Sequence, residues 1–475
     1  NPFVPGLLAN IVGSPLDYSY KTEKNEKACL SSGGVCTWPR GRMLSGTGSF
    51  SGMLYTRPSP SIFDNWATRL GNKGWSSKEV LEFFKKSENN LNPDLIEKDQ
   101  HGFAGPLTIQ RFSSQPPFAD DILKAAEALG YKGNDLSGSK PNGLNYVQGM
   151  VDQGIRASTA RMYLGKKLNQ TNLVVKLNAQ VQKINFSGTK ATGVTFKDLK
   201  TGEIVTVNVT KEDTSYLSSY CHSTNSSTNL FLTLVDFLVR TSCMVADPCY
   251  RSECKDNQKL LNATADHDDF IAKLTSIRTS RNTAFIDDLI KKYASIVGNA
   301  ITGPLPCGRR RVGVRPNNML PLSKGRLVLR SANPDDHPKL ITNYLDNEQD
   351  AKVLLQGVRI AQRIMLSESL KKYDVQLVFM TSPSCAGYTK DSDDYWLCII
   401  RQFTLAENHP TGTCKMGPAS DPEAVVDDQL LVHGVENVRV ADASVFPTQL
   451  NCNPISVVIM TAEKCAQMVL DKNKV

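Results

Sequence analysis

Among the 475 residues, no apolar run reaches the roughly 18 that a membrane-spanning helix needs. The nearest, Leu230 to Val239, is short and interrupted by Asp236, and is expected to be a core helix. Aromatic residues make up only 7% of the chain, and Arg309-Arg310-Arg311 is the one tight basic cluster. The basic stripe with stacking rings that nucleic acid requires is therefore missing, and the cluster is expected to be a solvated loop. Cys243, Cys249 and Cys254 have no histidines at ligand distance, which argues against zinc. The dinucleotide fingerprint is absent as well. Gly46-Thr47-Gly48 has no strand before it, its third glycine comes one position late, and no strand ending in an acid follows. No internal repeat is visible. The chain opens at Asn1 without a basic leader and apolar core, so a processed form or a fragment is expected.

What is present points to a folded enzyme-sized protein. The length exceeds one typical core, so two domains or one elaborated fold are expected. A 40% hydrophobic content is ordinary for a globular protein, and a net charge of +8 is modest at this size. Twelve cysteines are more than a cytosolic enzyme usually carries. Sequons at Asn169, Asn185, Asn208, Asn225 and Asn262 add slight support for a secreted, extracellular setting with some disulfides. Cys29 and Cys36 bracket a short loop that a disulfide could close.

Along the chain, residues 1–37 are irregular. The run from Trp38 to Met53 is dense in Gly and Ser, as a loop is when its backbone approaches a phosphate or a ring; a surface loop has the same composition. Helices are expected around Trp66-Ala67, over residues 76–86 with Ser76 and Glu79 as a capping box, over 119–130 ended by Gly130, and over 156–164. Strands are expected at Asn172–Leu177, Val181–Phe186, Thr192–Phe196 and Ile204–Val209, with turns at Asn178, Gly188-Thr189 and Thr201-Gly202. From about 210 to 310 the character changes to a polar Ser/Thr-rich stretch and then a helical pattern. Order returns with a strand at Gly325–Arg330, a turn at Asn333–Pro338, a helix over 350–366 with Leu354, Val358, Ala361 and Met365 on one face, and a helix near 394–400.

One stretch carries chemistry. His409 lies beside Pro410 and Gly412; a strand-like run, Val438 to Ala441, leads into Asp442-Ala443-Ser444; Asn453-Pro454 then opens an apolar helical run. A basic side chain, a polar partner and a helix N-terminus within about one βα unit suit removal of an alcohol proton beside a bound cofactor. On these residues alone, the expected reading of His409 is a residue that merely caps a turn.

Trp38-Pro39-Arg40-Gly41, Met53-Leu54-Tyr55-Thr56-Arg57, Gly74-Trp75, Arg156 to Ala160, Asp335-Asp336-His337-Pro338, Asn343-Tyr344-Leu345, His409 to Gly417, Asp442-Ala443-Ser444 and Glu463-Lys464 occur in this order. By these motifs the chain resembles the glucose–methanol–choline (GMC) oxidoreductases, particularly their insect glucose-dehydrogenase-like branch. The resemblance implies an α/β, or mixed α+β, fold: an FAD-binding domain, here N-terminally truncated, with a substrate domain built on an antiparallel sheet. It divides the chain into 1–209, the FAD-binding half with part of the substrate domain; 210–310, a divergent segment; 311–405, substrate-binding; and 406–475, the return carrying the catalytic pair. It implies a small-molecule alcohol or sugar substrate, hydride transfer to FAD, His409 as general base and Asn453 as its partner. It also implies cofactor contacts at Arg40, Gly41, Gly46, Thr47, Ser51, Met53, Val181, Asp442, Ala443 and Pro454. His337 and His433 lie in matched turns and receive no catalytic role, and Cys414 is expected to be a packed core thiol.

The departures define the alternatives. The family's opening strand, Gly-rich turn and helix have no counterpart, since Asn1–Pro5 matches a point downstream. Ser45, Gly48, Ser51 and Pro58 stand where the family usually has Gly, Ser, Asn and Gly, and that Asn is a flavin contact. Three readings follow: an FAD-dependent alcohol or sugar oxidoreductase, a secreted relative without FAD that serves as a binding or structural protein, and a cyanohydrin-type lyase on the same fold.

Overall fold

The computed structural model describes residues 11–112, 117–165, 167–209, 230–235, 312–333 and 335–472. Its chain forms two compact units, one from Asn1–Phe231, Asn317–Tyr373 and Ile400–Val475, the other from Leu232–Pro316 and Asp374–Ile399.

The first unit holds the helices α1 (Pro60–Thr68), α2 (Ser77–Ser87), α3 (Pro117–Ala128), α4 (Glu348–Met365) and α6 (Ile455–Lys472). Helix α2 starts as its sequence dictates: the Ser76 hydroxyl and the Glu79 carboxylate cap each other's backbone, and Lys85 and Lys86 close the last turn. Helix α3 runs out into Gly130, whose φ of 89° only glycine adopts cheaply. Helix α4 is capped by Asn347, which accepts from the Gln349 amide. Of its expected core face, Ala361 and Met365 are buried while Leu354 and Val358 are half-buried; Ala351, Val353 and Ile364 complete the stripe.

The sheets are small: β1 (Tyr20–Lys21) pairs antiparallel with β2 (Thr37–Trp38), and β7 (Val151–Asp152) with β8 (Ile155–Arg156). Strands β3 (Leu54–Tyr55), β4 (Glu88–Asn90), β5 (Leu107–Arg111) and β6 (Gln148–Gly149) form a four-stranded sheet in the order β3-β6-β5-β4, mixed because β4 and β5 run parallel. Strands β9 (Ala179–Ser187), β10 (Lys190–Asp198) and β11 (Ile204–Asn208) form an antiparallel meander, as the alternation predicts, with left-handed turn residues at Asn178, Gly188 and Gly202.

Three expectations are corrected. Residues 173–177 form no strand and are exposed, because a strand exists only where a neighbouring backbone completes its ladder, and among the described residues none does. Arg156 belongs to a two-residue strand, Ile155–Arg156, and the helical turn begins later, as a π-type turn at Ala160–Leu164. Leu230–Val235 is a strand rather than a core helix, consistent with the rule that short apolar runs do not reveal their type by periodicity. The remainder of 210–310, including the expected helices near Phe270 and Phe285, the Arg309 cluster, Cys243, Cys249, Cys254 and the sequons at Asn225 and Asn262, lies outside the described residues, as do Asn1–Pro5.

The main core joins α1, α2 and α6 to the chain around His409. Phe63, Trp66, Trp75 and Phe84 pack with Met416, Val440, Val445, Phe446, Val457 and Met460. Trp66 stacks on Phe446 at 5.6 Å, and its indole donates to Thr448 Oγ1 at 2.8 Å. In the second unit, a disulfide joins Cys385 to Cys398 midway along α5 (Asp393–Phe403), whose residues from Ile400 on belong to the first unit, and Phe379, Tyr395 and Trp396 pack together.

Candidate active site

The loop carrying His409 is seated by a ladder. The amides of Gly412, Cys414 and Met416 donate to the carbonyls of Ala443, Ser444 and Val445 at 3.3, 2.8 and 2.9 Å. Asp442 caps this second segment, accepting from the Ser444 amide at 2.8 Å, so Ala443–Val445 winds into a single 3-10 turn. Val438–Ala441, expected to be strand-like, makes only isolated bridges such as Leu431 with Arg439. Gln449 closes the loop from the far side. Its Nε2 donates to the His409 carbonyl at 2.8 Å while its Oε1 accepts from Thr411 at 2.6 Å.

Arg40 supports the same loop. Its buried guanidinium lies 4.7 Å from the Trp38 ring centroid and donates to the Pro39 carbonyl at 2.7 Å and to Asn408 Oδ1 at 3.2 Å. Trp38 is itself fixed by the Tyr344 hydroxyl at 2.7 Å. Burial first, and the Arg40 charge second, push the His409 imidazole down to about 4. At neutral pH it is therefore uncharged and able to accept a proton. Among the described residues its ring nitrogens have no hydrogen-bond partner.

Asn453 stands just before α6. Its Oδ1 accepts from the Thr56 hydroxyl at 3.2 Å, and its own amide donates to Thr56 Oγ1 at 3.1 Å. Among the described residues nothing accepts from its Nδ2. The Gly-rich loop meets this helix end: a Cβ placed on Gly48 would lie 3.5 Å from Ile455 Cδ1. Within the loop, Gly41 must be glycine, since a Cβ there would come within 2.3 Å of the Gly46 carbonyl oxygen. Its amide donates to Thr47 Oγ1 at 3.2 Å. Ser45, Gly46 and Met53 adopt left-handed backbone, with φ of 67°, 51° and 62°. Arg156 reaches over from its short strand to donate to the Ser51 carbonyl at 2.7 Å.

Arg40, Asp442 and Ala443 are thus tied to the His409 loop, and Pro454 follows Asn453 directly. Gly41, Gly46, Thr47, Ser51 and Met53 form a second cluster, against the start of α6. Val181 lies elsewhere, half-exposed on β9 and paired with Phe196. Of the other candidates, Cys414 is buried and outside any disulfide, the His337 ring packs edge-on against Tyr20 at 4.6 Å, and His433 Nε2 lies 3.1 Å from the Gly417 carbonyl. Reading the sequence missed Thr56, Gln449 and Asn408 as supports, although Thr56 lies inside a matched motif. It also missed a buried charge cluster beside Thr56, Arg57–Glu88–His101–Asp135, whose members are too scattered in sequence to signal contact.

Comparison with known proteins gives this geometry a family. Residues 19–230 and 321–462 each match GMC oxidoreductase. The chain is 34% identical to "Glucose dehydrogenase [FAD, quinone]" of Drosophila pseudoobscura pseudoobscura over 507 residues, covering 98% of this chain and 80% of that one. It is 29% identical to mitochondrial choline dehydrogenase of Mus musculus, with 98% and 80% covered. Among solved structures, formate oxidase has the same fold, with a TM-score of 0.71, 19% identity and coverage of 99% and 91%. The chain belongs to the GMC oxidoreductase family.

Proposed function

We propose that this protein is an FAD-dependent oxidoreductase acting on the CH–OH group of an alcohol or sugar, with His409 as proton acceptor and Asn453 as hydrogen-bond donor to the substrate oxygen. One observation carries the reading: the His409 and Asn453 side chains have polar ends that no described residue engages, a neutral imidazole and an amide Nδ2. Half-buried polar ends with no protein partner among the described residues suit a ligand that engages them. His409 takes the hydroxyl proton, and Asn453 Nδ2 donates to the oxygen as negative charge gathers there. The acceptor of hydride is the chemistry FAD supplies when bound.

The residues fit the ring side of such a group. The left-handed backbone at Ser45, Gly46 and Met53 and the close approach of Gly41 to Gly46 keep side chains out of the loop's tightest point, and the first turn of α6 after Pro454 offers amides that no described backbone carbonyl accepts from. Arg40, Gly41, Gly46, Thr47, Ser51, Met53, Asp442, Ala443 and Pro454 would hold it, with Val181 further off. Among the described residues no strand, Gly-rich turn and helix form a pyrophosphate cradle. One observation favours the second reading, a relative without FAD. The Ser51 hydroxyl is already engaged with the Gly48 carbonyl at 3.3 Å and the Met53 amide at 3.2 Å, whereas the resemblance puts a flavin contact there.

The absorbance spectrum of natively purified protein separates the two: flavin bands are expected, and their absence favours the second. With flavin present, His409→Ala should lower D-glucose- or alcohol-dependent quinone reduction by about 10²- to 10⁴-fold. Unchanged turnover would remove His409 as the base. A secreted location is part of the same proposal, supported by the Cys29–Cys36 and Cys385–Cys398 disulfides, which persist in oxidising compartments.

A further inference from the structure

We propose that Thr56 is the positioning residue of Asn453, setting its amide so that Nδ2 rather than Oδ1 is presented to the reacting oxygen. This rests on the reading of Asn453 as a donor. An asparagine amide can turn by half a rotation and offer oxygen instead of nitrogen, and an oxygen aimed at a developing alkoxide would repel it. The Thr56 hydroxyl decides the orientation by counting protons. It accepts from the Asn453 backbone amide at 3.1 Å, and its single proton then needs an acceptor, which Asn453 Oδ1 supplies at 3.2 Å. In the turned orientation that proton would face an NH₂ group and be left unsatisfied in a buried place.

Thr56 is held too firmly to follow such a turn. Its side chain is buried, and its carbonyl accepts from Ser456 Oγ at 2.5 Å, in the first turn of α6. Its neighbours are fixed as well: Tyr55 pairs with Gln148 in the mixed sheet, and Arg57 donates to the Gln100 carbonyl at 2.6 Å and pairs with buried Glu88. Thr56 therefore couples the sheet to the helix end at the residue whose amide direction matters.

The hydroxyl is isolated by comparing Thr56→Val, Thr56→Ser and Thr56→Ala, with melting temperatures recorded for each. Thr56→Val should lower kcat about 10- to 100-fold with little change in KM, since a misdirected donor is missed mainly in the transition state. Thr56→Ser should retain most of the turnover. If Thr56→Val folds poorly, Ser against Ala, which differ by the hydroxyl alone, decides the question. Thr56→Val combined with Asn453→Ala should be no slower than Asn453→Ala alone. The side-chain NH₂ signals of Asn453, identified by their loss in Asn453→Ala in a nitrogen-15 spectrum, should move in Thr56→Val and hold in Thr56→Ser; this readout needs no turnover. Unmoved signals, full turnover in Thr56→Val beside a crippled Asn453→Ala, or losses that multiply would overturn the role of Thr56. Full turnover in Asn453→Ala would instead overturn the reading of Asn453, and the role of Thr56 with it.

Discussion

His409 owes its properties to neighbours that are far away in sequence. Burial and the Arg40 guanidinium both favour the neutral ring, which sits at about 4 rather than 6.5. Replacing Arg40 by Met should therefore raise that value, and the acid limb of a kcat/KM–pH profile should move to higher pH. A limb that stays in place would show that Arg40 exerts no field on the ring. The linkage has a definite sign. Between pH 4 and 6.5 the unfolded chain binds the His409 proton more readily, so this group costs stability progressively as pH falls through that window. The pattern of residues made His409 visible as a candidate, but nothing in the run His409 to Gly417 signals the charge from residue 40. Asn453 is similar: its place before a helix is legible, while the Thr56 hydroxyl that engages its amide lies 397 positions away.

At the level of elements, local signals were reliable where the chain satisfies its own backbone. The α2 capping box, the end of α3 at Gly130 and the β9–β10–β11 meander follow from nearby residues. Residues 173–177 show the opposite case, since their apolar, branched side chains favour a strand that no described neighbour completes. The cluster between β4 and the loops around it was not legible at all. Glu88 lies fully buried between Arg57 and His101, and His101 spans Glu88 Oε1 at 2.7 Å and Asp135 Oδ2 at 2.9 Å. Burial alone would draw the imidazole down, but its bonds to Asp135 and Glu88 outweigh this and hold it above its ordinary value. The contribution to stability is thus complete below about 6.5, the value for an unfolded histidine, and is lost as pH rises through the folded value. His101→Gln should cost about 1–3 kcal/mol at pH 6, because it removes charged hydrogen bonds to Glu88 and Asp135 while Glu88 keeps Arg57 and Asp135 keeps the Glu97 and Ser137 amides, and it should flatten the alkaline decline in denaturant midpoints. An unaltered decline would place its cause elsewhere.

For the whole molecule, the disulfides connect local loops to distant chain. The Cys29–Cys36 loop meets the end of α5, with Ser31 Oγ donating to the Gln402 carbonyl at 2.7 Å, a few residues before His409. Replacing both cysteines by Ser should lower stability by about 2–3 kcal/mol from loop entropy. It should also weaken turnover, if this loop steadies the approach to His409; full activity at reduced stability would confine the disulfide to a structural role. The Cys29–Cys36 bridge is the one the short loop between them leads one to expect, whereas among twelve cysteines nothing in the sequence singles out Cys385 with Cys398, which the fold joins.

By itself the sequence determined the family, the segment that holds the candidate base and most of the elements with complete local signals, because motifs, caps and alternation act over a few residues. Tertiary structure decided what those residues can do. It placed Arg40 against Asn408, Thr56 against Asn453 and Glu88 between Arg57 and His101, and among the described residues it left 173–177 without a strand partner. Proton affinity, amide direction and ladder completion depend on groups brought within a few ångströms by folding, and separation along the chain carries no record of that distance.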